Sequence, residues 1–473
     1  IKKKIKNLLK KFDDKCNNNI ELNKKINKIE IDFNNINEKC DILTKKTELL
    51  ESEISNFNKN FNLMLNFIKE QNKYSNLEML TLDNNVKKKR VLLMGFYGAP
   101  NLGDELMLEV IVSKLKKINN IDLTVMLSEN REFDITNYPS LKIIHYPKSI
   151  LDINILANYF DTVIVGEGAL LDDSDYDYYN NQLTLSNSLI NICYRMIQFN
   201  KQTILYGLST SNTFSNEEYL AKLDYIFKNC TYISLRDTNS LEVLKKYKID
   251  VSRVKIVDDL VFCCKENKNY VKKKSNFITI GIDFICKYEN YDLLKNCVNW
   301  LCDYLYDNNV KYKILLIPFY EYQKNDSLFY NKLKNELKND NVFILDYLCK
   351  FENIKKEFST IDYMINMRYH GSILAYLFSI PSLNIIFDVH NHYLNKMNYL
   401  FNNYNFNTCK INFSQLNKND FLRLLNELFN KISVSFDQNI TKRANNQLNS
   451  ILGQGYIEKK YALFFNVYMC YLY

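Results

Sequence analysis

Glycine, proline, histidine and tryptophan are scarce in this chain of 473 residues, which contains ten, five, four and one of them. Neither glycine nor proline occurs before Gly95, so nothing in the first 94 residues interrupts a helix through its backbone. Twelve cysteines are present, but no two form a C-x-x-C pair and none clusters with histidine at zinc spacing. We therefore expect no metal site, and we interpret the cysteines as reduced, small core residues of a cytoplasmic protein.

Long apolar runs are absent as well. No stretch of 18 apolar residues occurs, which predicts that no helix spans a membrane. The sequence begins at Ile1 rather than at a methionine, so the presence of a signal or anchor upstream stays open.

Positive charge is concentrated at one end of the chain. The formal net charge is +8; residues 1–90 hold 20 basic and 13 acidic side chains, whereas the remainder holds 42 and 41. The body therefore lacks the basic excess of a nucleic-acid enzyme, and we expect no nucleic-acid partner. Residues 1–11 carry six lysines and no acid, which fits peripheral contact with the inner face of a membrane and fits a solvated helix end equally well.

The N-terminal segment, residues 1–85, has the pattern of a coiled coil. Apolar residues alternate at spacings of four and three over 14 positions, of which only Thr47 is polar. The seam positions are Leu22, Ile26, Ile29, Phe33, Ile36, Cys40, Leu43, Thr47, Leu50, Ile54, Phe57, Phe61, Met64 and Ile68. The pattern predicts a long helix and favours a homo-oligomer, although packing on the chain's own body is the alternative.

Short apolar strands alternate with helical segments from Val91 onward, which is typical of parallel βαβ units. A polar, lysine-rich stretch at 263–276 interrupts the alternation, which then restarts. We therefore predict an α/β fold with one domain over 90–265 and a second over 276–412. The tail, 413–473, is predicted to form helices that pack back on the body.

Three of the ten glycines lie in one short stretch, Gly95-Phe96-Tyr97-Gly98-Ala99-Pro100-Asn101-Leu102-Gly103-Asp104-Glu105. A buried strand precedes it and a helix follows, a layout that aims backbone N–H groups at an anion. The spacing is neither the dinucleotide nor the P-loop fingerprint, so an ordinary tight βα turn remains the alternative. A second glycine turn is predicted at Gly166–Asp173, after the strand 161–165.

A second informative stretch is Met367-Arg368-Tyr369-His370-Gly371. If the strand before it continues, Arg368 and His370 share one face and point together into a cleft between the domains. Arginine binds carboxylate or phosphate as a fork, and histidine transfers protons near neutral pH. The alternative is a buried histidine beside an arginine in a structural ion pair.

These motifs together resemble the polysaccharide pyruvyl transferase family, which includes the cell-wall pyruvyltransferases of the CsaB type. The resemblance covers about residues 91–400. It rests on five ordered segments: Gly95–Glu105 for GxxGxxNxGDE, Gly166–Asp173 for GGGGLLxD, Ile233–Asp237 for I-S-x-R-D, Val257–Phe262 for D-P-V-F, and Met367–Gly371 with Ile380-Pro381 for MRxHG…GIP.

The resemblance implies two Rossmann-like domains in a GT-B-like arrangement. It also implies transfer of a pyruvyl group from phosphoenolpyruvate, the co-substrate, to hydroxyls of a glycan or lipid-linked sugar as a ketal, with no other cofactor. His370 is then the candidate acid and Arg368 a charged fork. Asp104 is the first candidate for the base, with Glu105 or Glu167 as the alternatives. The predicted substrate-binding residues are Gly98, Asn101, Gly103, Glu105, Gly166, Glu167, Gly168, Arg236, Asp388 and His390.

The chain departs from the family pattern where Glu167 and Ala169 replace glycines and Asp259-Leu260 replaces D-P. It reads Asp283 where the family often has an arginine, and His390 where the family has the lysine of D-x-K; His392 and Lys396 are candidates to compensate. Two other functions therefore stay open: a GT-B-type glycosyltransferase that uses a nucleotide-sugar, and a non-catalytic scaffold in which the coiled coil is the working part.

Overall fold

The structure is a computed structural model with two compact units, Ile1–Thr81 and Leu82–Tyr473. In the second unit it describes residues 88–127, 141–174, 176, 184–211, 213–264, 276–348, 350–389, 391–404, 406, 408–430 and 434–452. In the first unit it describes only scattered residues, all helical and exposed: 3, 4, 6–8, 10, 11, 24, 28, 39 and 44–47. Apart from Thr47, the predicted coiled-coil seam lies outside the described residues.

The first domain of the second unit is built on a parallel sheet. Its described strands are β1 (Lys89–Met94), β2 (Ile121–Leu127), β3 (Lys142–His145), β4 (Thr162–Val165), β5 (Gly168–Leu171), β6 (Gln202–Thr210), β7 (Tyr232–Leu235) and β8 (Lys255–Ile256). The strand order is β3-β2-β1-β4-β6-β7-β8, with β5 paired to β6. Val91, Leu92, Leu93 and Met94 are completely buried, as expected for a central strand covered on both faces.

The second domain contains a smaller parallel sheet. Its described strands are β9 (Ile278–Asp283), β10 (Tyr312–Leu316), β11 (Val342–Ile344), β12 (Tyr363–Asn366), β13 (Ser382–Ile386) and β14 (Cys409–Asn412). The order is β11-β10-β9-β12-β13-β14, so in both sheets the order reverses beside the domain's first strand. Open α/β sheets bind ligands at the carboxyl edge of this reversal point.

Helices connect the strands. They are α1 (Leu102–Leu115), α2 (Ile150–Tyr159), α3 (Leu185–Gln198), α4 (Glu217–Asn229), α5 (Thr238–Lys246), α6 (Tyr291–Asp307), α7 (Asn325–Leu337), α8 (Phe351–Phe358), α9 (Tyr369–Leu377), α10 (Asn391–Asn403), α11 (Lys418–Asn430) and α12 (Gln438–Leu452). Among the described residues, none of these helices is long and apolar enough to cross a membrane.

The two domains share an apolar core. One buried cluster contains Val91 and Ile164 of the first sheet together with Met364 and Ile373 of the second domain. The last described helix returns to the first domain, where Arg443 pairs with Asp258 at 2.6 Å. The tail therefore contacts both domains, because α11 packs against α6 and β13 while α12 packs against α1.

The structure differs from the sequence prediction at five places. Helices α2 and α10 and strand β14 were not predicted. The predicted glycine turn at Gly166–Asp173 contains the strand β5. The strand before Arg368 ends at Asn366 and α9 begins at Tyr369, so the shared-face argument for Arg368 and His370 does not apply. Tyr369 separates the two residues in sequence, and each of them is positioned by a different neighbour.

Candidate functional site

The candidate site lies where the two reversal points meet. The connection after β1 contains the glycine-rich stretch, and the connection after β12 contains Arg368 and His370. Backbone hydrogen bonds join the glycine-rich connection to the loop after β10 in the second domain: the N–H of Leu102 donates to the carbonyl of Phe319 at 2.9 Å, and the N–H of Glu321 donates to the carbonyl of Pro100 at 2.8 Å. The carboxyl edges of both sheets therefore face one cleft.

The glycine-rich stretch is held by its own side chains. Gly98 has a φ of +69°, and its N–H donates to Oε1 of Glu105 at 2.9 Å. This left-handed conformation favours glycine. Glu105, which was predicted to bind substrate, uses one oxygen to fix the loop.

A cavity of about 470 Å³ opens at this junction. The N-terminal ends of three helices reach it: Asn101 and Asp104 of α1, Leu185 and Ser186 of α3, and Tyr369 and His370 of α9. Helix N-termini carry partial positive charge and unpaired N–H groups. Phe96, Ala169, Leu170, Asp172, Ser174, Arg236, Ile285, Phe319, Arg368, Tyr393 and Lys396 complete the lining.

His370 lies in the first turn of α9, directly against the start of α1. A Cβ atom at Gly103 would lie 1.8 Å from Nδ1 of His370. The absence of a side chain at Gly103 is therefore what allows the imidazole to reach this position. The other ring nitrogen, Nε2, is buried without a hydrogen-bond partner, 3.6 Å from Oδ2 of Asp259.

Asp259 belongs to a buried charge network beneath His370. Nη1 of Arg236 lies 3.2 Å from Asp259 and 3.4 Å from Glu167, and both carboxylates are at most 1% exposed. Burial and the neighbouring Asp259 raise the pKa of Glu167 well above its usual value. Burial alone would raise the pKa of Asp259 too, but His370 and Arg236 hold it below its usual value. The network therefore carries one ionised carboxylate, Asp259, against Arg236.

Burial lowers the pKa of His370, and the nearby Asp259 only partly opposes this. The imidazole is consequently neutral near pH 7 in the free protein. An anion bound beside it would favour the protonated form.

Arg368 forms a separate ion pair. Its Nη2 lies 2.8 Å from Oδ1 of Asp326, which is completely buried, and its Nε donates to the carbonyl of Phe284 at 3.0 Å. The guanidinium side chain is 20% exposed and lines the cavity. Arg368 thus has both a structural partner and a surface that a ligand can contact.

Asp283 ends β9 and accepts the backbone N–H groups of Met367 and Arg368 at 2.7 and 3.0 Å. Burial raises its pKa to about 8, although these two hydrogen bonds oppose the shift. A Cβ atom at Gly371 would lie 1.5 Å from Oδ2 of Asp283, so the glycine after His370 makes room for this carboxyl.

Five of the predicted site residues line the cavity: Asn101, Asp104, Arg236, Arg368 and His370. Gly98, Gly103, Gly166 and Gly168 shape the surrounding backbone instead; Gly166 makes room for Tyr97, whose Oη would lie 1.7 Å from a Cβ there. Glu167 is completely buried, and its Oε2 accepts a hydrogen bond from the N–H of Leu260 at 2.6 Å. Asp388 accepts the N–H of Ser414 at 3.0 Å and does not line the cavity. His390 lies outside the described residues.

The sequence interpretation gave no role to Asp259, Asp326 or Ser186. Asp259 lies in the segment Val257–Phe262 that carries the family resemblance. Two successive carboxylates, Asp258 and Asp259, just after a strand were the sequence feature that could have indicated a site there. Asp326 is 42 residues from Arg368 in sequence, and no local pattern links them. Among the described residues, no group of three or more histidine, cysteine or acidic side chains could hold a metal ion.

Solved structures of low identity share the fold. The UDP-GlcNAc 2-epimerase of Methanocaldococcus jannaschii is 13% identical with a TM-score of 0.51, over 77% of this chain and 99% of that one. The enzyme of Neisseria meningitidis bound to UDP-GlcNAc is 10% identical with a TM-score of 0.51, over 77% and 100%. Comparison with curated proteins finds no match. The neighbours confirm the predicted GT-B-like pair of α/β domains and show the fold alone.

The family assignment rests on a match between the sequence and a family model. Residues 101–388, which include α1, the Arg236 network and the Arg368–Gly371 connection, match the family model described as polysaccharide pyruvyl transferase. This match covers more than half of the chain and agrees with the resemblance found in the sequence. The chain therefore belongs to the polysaccharide pyruvyl transferase family.

Proposed function

We propose that this protein transfers the pyruvyl group of phosphoenolpyruvate to hydroxyls of a sugar in a cell-surface glycan, forming a ketal. The observation that carries the proposal is the convergence of three helix N-termini with His370, Arg236, Arg368 and Lys396 on one cavity. Phosphoenolpyruvate bears a phosphate and a carboxylate, and both are stabilised by such donors.

In this proposal His370 is the general acid. Addition of a sugar hydroxyl to C2 of the enol phosphate requires a proton at the methylene carbon, C3. The bound anion would raise the pKa of His370 so that the imidazolium can supply that proton. The second hydroxyl then displaces phosphate at C2 and closes the ketal, and its proton passes to the imidazole that the first step left neutral.

Asp104 is the proposed base for the acceptor hydroxyl. It lies in the first turn of α1, lines the cavity and is only 8% exposed. Phe96, Asp172, Ser174 and Ser186 line the same cavity from the first domain, and they offer an aromatic face and hydroxyl or carboxylate groups to a neutral sugar. We assign the acceptor to this side.

Thermal melting of the full-length protein distinguishes this donor from a nucleotide-sugar. A donor at 100 times its dissociation constant should stabilise the fold by about 2.7 kcal/mol. We expect phosphoenolpyruvate to raise the melting temperature and UDP-GlcNAc to leave it unchanged. The reverse result would favour a nucleotide-sugar transferase on the same fold, and no shift with either would favour the non-catalytic scaffold.

A further inference from the structure

Lys396 is a cavity residue whose charge has no carboxylate partner. It lies on α10 and lines the cavity, and its Nζ is 4.1 Å from the centroid of the Tyr369 ring. Among the described residues, no carboxylate lies within ion-pair distance of its ammonium group. An aromatic face attracts a cation but does not neutralise it.

The two arginines that line the cavity already form ion pairs with buried carboxylates. Arg236 faces Asp259 at 3.2 Å, and Arg368 faces Asp326 at 2.8 Å. Each of these pairs places one negative charge against one positive charge. An incoming anion therefore meets its least compensated positive charge at Lys396.

Several charged groups surround Lys396 from other elements. Asp104 of α1, Asp237 at the start of α5 and Asp259 after β8 favour its protonated form, whereas Arg236 disfavours it. The positive charge of Lys396 in turn contributes to the lowered pKa of His370 of α9. Burial and then Arg236 dominate, and together they lower the pKa of Lys396 to about 7.

We propose that Lys396 forms the direct ion pair with an anionic group of phosphoenolpyruvate, and that donor binding is accompanied by uptake of one proton at this lysine. This inference rests on the proposed function, since it specifies how the same cavity holds its donor. It also places the positive charge of the site six residues beyond His390, on a helix that the sequence interpretation did not predict.

The pH dependence of phosphoenolpyruvate binding follows from the lowered pKa of Lys396. Below pH 7 the ammonium form is already present, so binding needs little proton uptake. As the pH rises from 7 to 9 the free protein loses this proton, and the affinity for phosphoenolpyruvate should fall by up to about tenfold per pH unit. Phosphate groups have a second pKa near 6, so the ligand itself is fully ionised over most of this range.

Isothermal titration of the full-length protein with phosphoenolpyruvate at pH 7, 8 and 9 tests the proposal. Titrations in two buffers of different ionisation enthalpy give the number of protons taken up on binding, because the measured heat includes the heat of buffer ionisation. Lys396→Met should weaken binding at pH 7 by about 10- to 100-fold, the loss expected for one charge-assisted hydrogen bond. Lys396→Arg should keep most of the affinity but lose the decline between pH 7 and 9, because arginine stays protonated.

Two controls complete the test. Lys201→Met removes another half-buried lysine, which pairs with Asp161 away from the cavity, and this variant should bind as the wild type does. His370→Asn removes the other group that donor binding is proposed to protonate, so at pH 8 this variant should retain the part of the proton uptake that belongs to Lys396. If Lys396→Met melts early, the pH dependence of Lys396→Arg still decides the question.

The outcomes separate this inference from the proposed function. Wild-type affinity and unchanged proton uptake in both Lys396 variants would overturn the role of Lys396 while leaving phosphoenolpyruvate as the donor. Absence of phosphoenolpyruvate binding to the wild-type protein at every pH would overturn the donor assignment, and this inference with it.

Discussion

Arg368 and His370 are separated by one residue and depend on different neighbours. The carboxylate of Asp326 and the carbonyl of Phe284 hold the guanidinium of Arg368, whereas Gly103 and Asp259 define the place of the imidazole. At the residue scale, substitutions at the two positions should therefore have separable effects on stability and turnover.

Arg368→Ala should destabilise the fold as well as the bound donor. The substitution leaves the buried carboxylate of Asp326 without its cation, and breaking a buried ion pair typically costs about 3–5 kcal/mol. We expect a clearly lower melting temperature. Arg423→Ala is the matched control, because its partner Asp420 and Arg423 itself are exposed and such pairs contribute about 1 kcal/mol or less. Equal melting temperatures for Arg368→Ala and the wild type would contradict the structural role.

Gly103→Ala should impair turnover with a smaller effect on stability. Its methyl group would collide with Nδ1 of His370, so the imidazole must rotate away from its position. A misplaced catalytic group commonly costs about 10²-fold in rate. Ser113→Ala, at an exposed position of the same helix, is the control for helix substitution. Normal kcat in Gly103→Ala would show that the close packing of α1 and His370 is not required.

The site could be predicted in part. Arg236 directly follows a strand, and Asn101, Asp104, Arg368 and His370 occur near glycines that follow strands. In the structure these five residues line one cavity. The charge partners Asp259 and Asp326 are distant in sequence from the groups they hold. Each pair forms within one domain, and it depends on how that domain's strands and helices fold together, which no local pattern encodes.

At the scale of elements, the connection from β12 to α9 is anchored by a carboxyl at the end of β9. Asp283 accepts two successive backbone N–H groups there, and it is completely buried. Its pKa is raised to about 8, from an ordinary value near 4. Asp283 is thus protonated at neutral pH, and the anchor is a neutral acid.

Asp283→Asn should change the pH dependence of stability. The folded pKa lies above the unfolded one, so the stabilising effect of Asp283 is complete below about pH 4 and is lost as the pH rises to about 8. Asparagine keeps an acceptor oxygen and does not titrate. Denaturant unfolding at several pH values should therefore show a flatter profile for the variant between pH 5 and 8. Parallel profiles for the two proteins would contradict a raised pKa.

Local patterns predicted the strongly periodic elements best. The strand predicted at 161–165 is found as β4, Thr162–Val165. Helix α2 was missed, although Ser149 and Asp152 form a capping box at its start; this signal was available in the sequence. Strand β5 was missed because Gly168-Ala169-Leu170-Leu171 is short and follows a glycine turn, and its pairing with β6 comes from tertiary contact.

At the scale of the whole molecule, the two α/β domains form one body through a shared apolar cluster and the returning helix α12. This explains why the cavity has polar groups from both domains. The predicted coiled coil belongs to the other compact unit, residues 1–81, and its role stays a prediction.

We expect the full chain to be an oligomer through the seam from Leu22 to Ile68. Light scattering of the full-length protein and of a chain beginning near Asn84 measures this directly. The shorter chain should be monomeric, and its binding of phosphoenolpyruvate should be unchanged because the described residues that line the cavity all fall within 96–396. A monomeric mass for the full-length protein would contradict the oligomer.

The most direct test of the central claim is transfer of the pyruvyl group itself. The full-length protein is incubated with phosphoenolpyruvate labelled in the pyruvyl carbons and a panel of cell-surface glycans and lipid-linked sugars. Transfer is followed as acceptor-dependent label in a ketal, with release of inorganic phosphate. We predict label in at least one acceptor, a loss of about 10²–10⁴-fold in kcat for His370→Asn, and an unchanged melting temperature for that variant. Transfer from UDP-GlcNAc but not from phosphoenolpyruvate, or full turnover by His370→Asn, would contradict it.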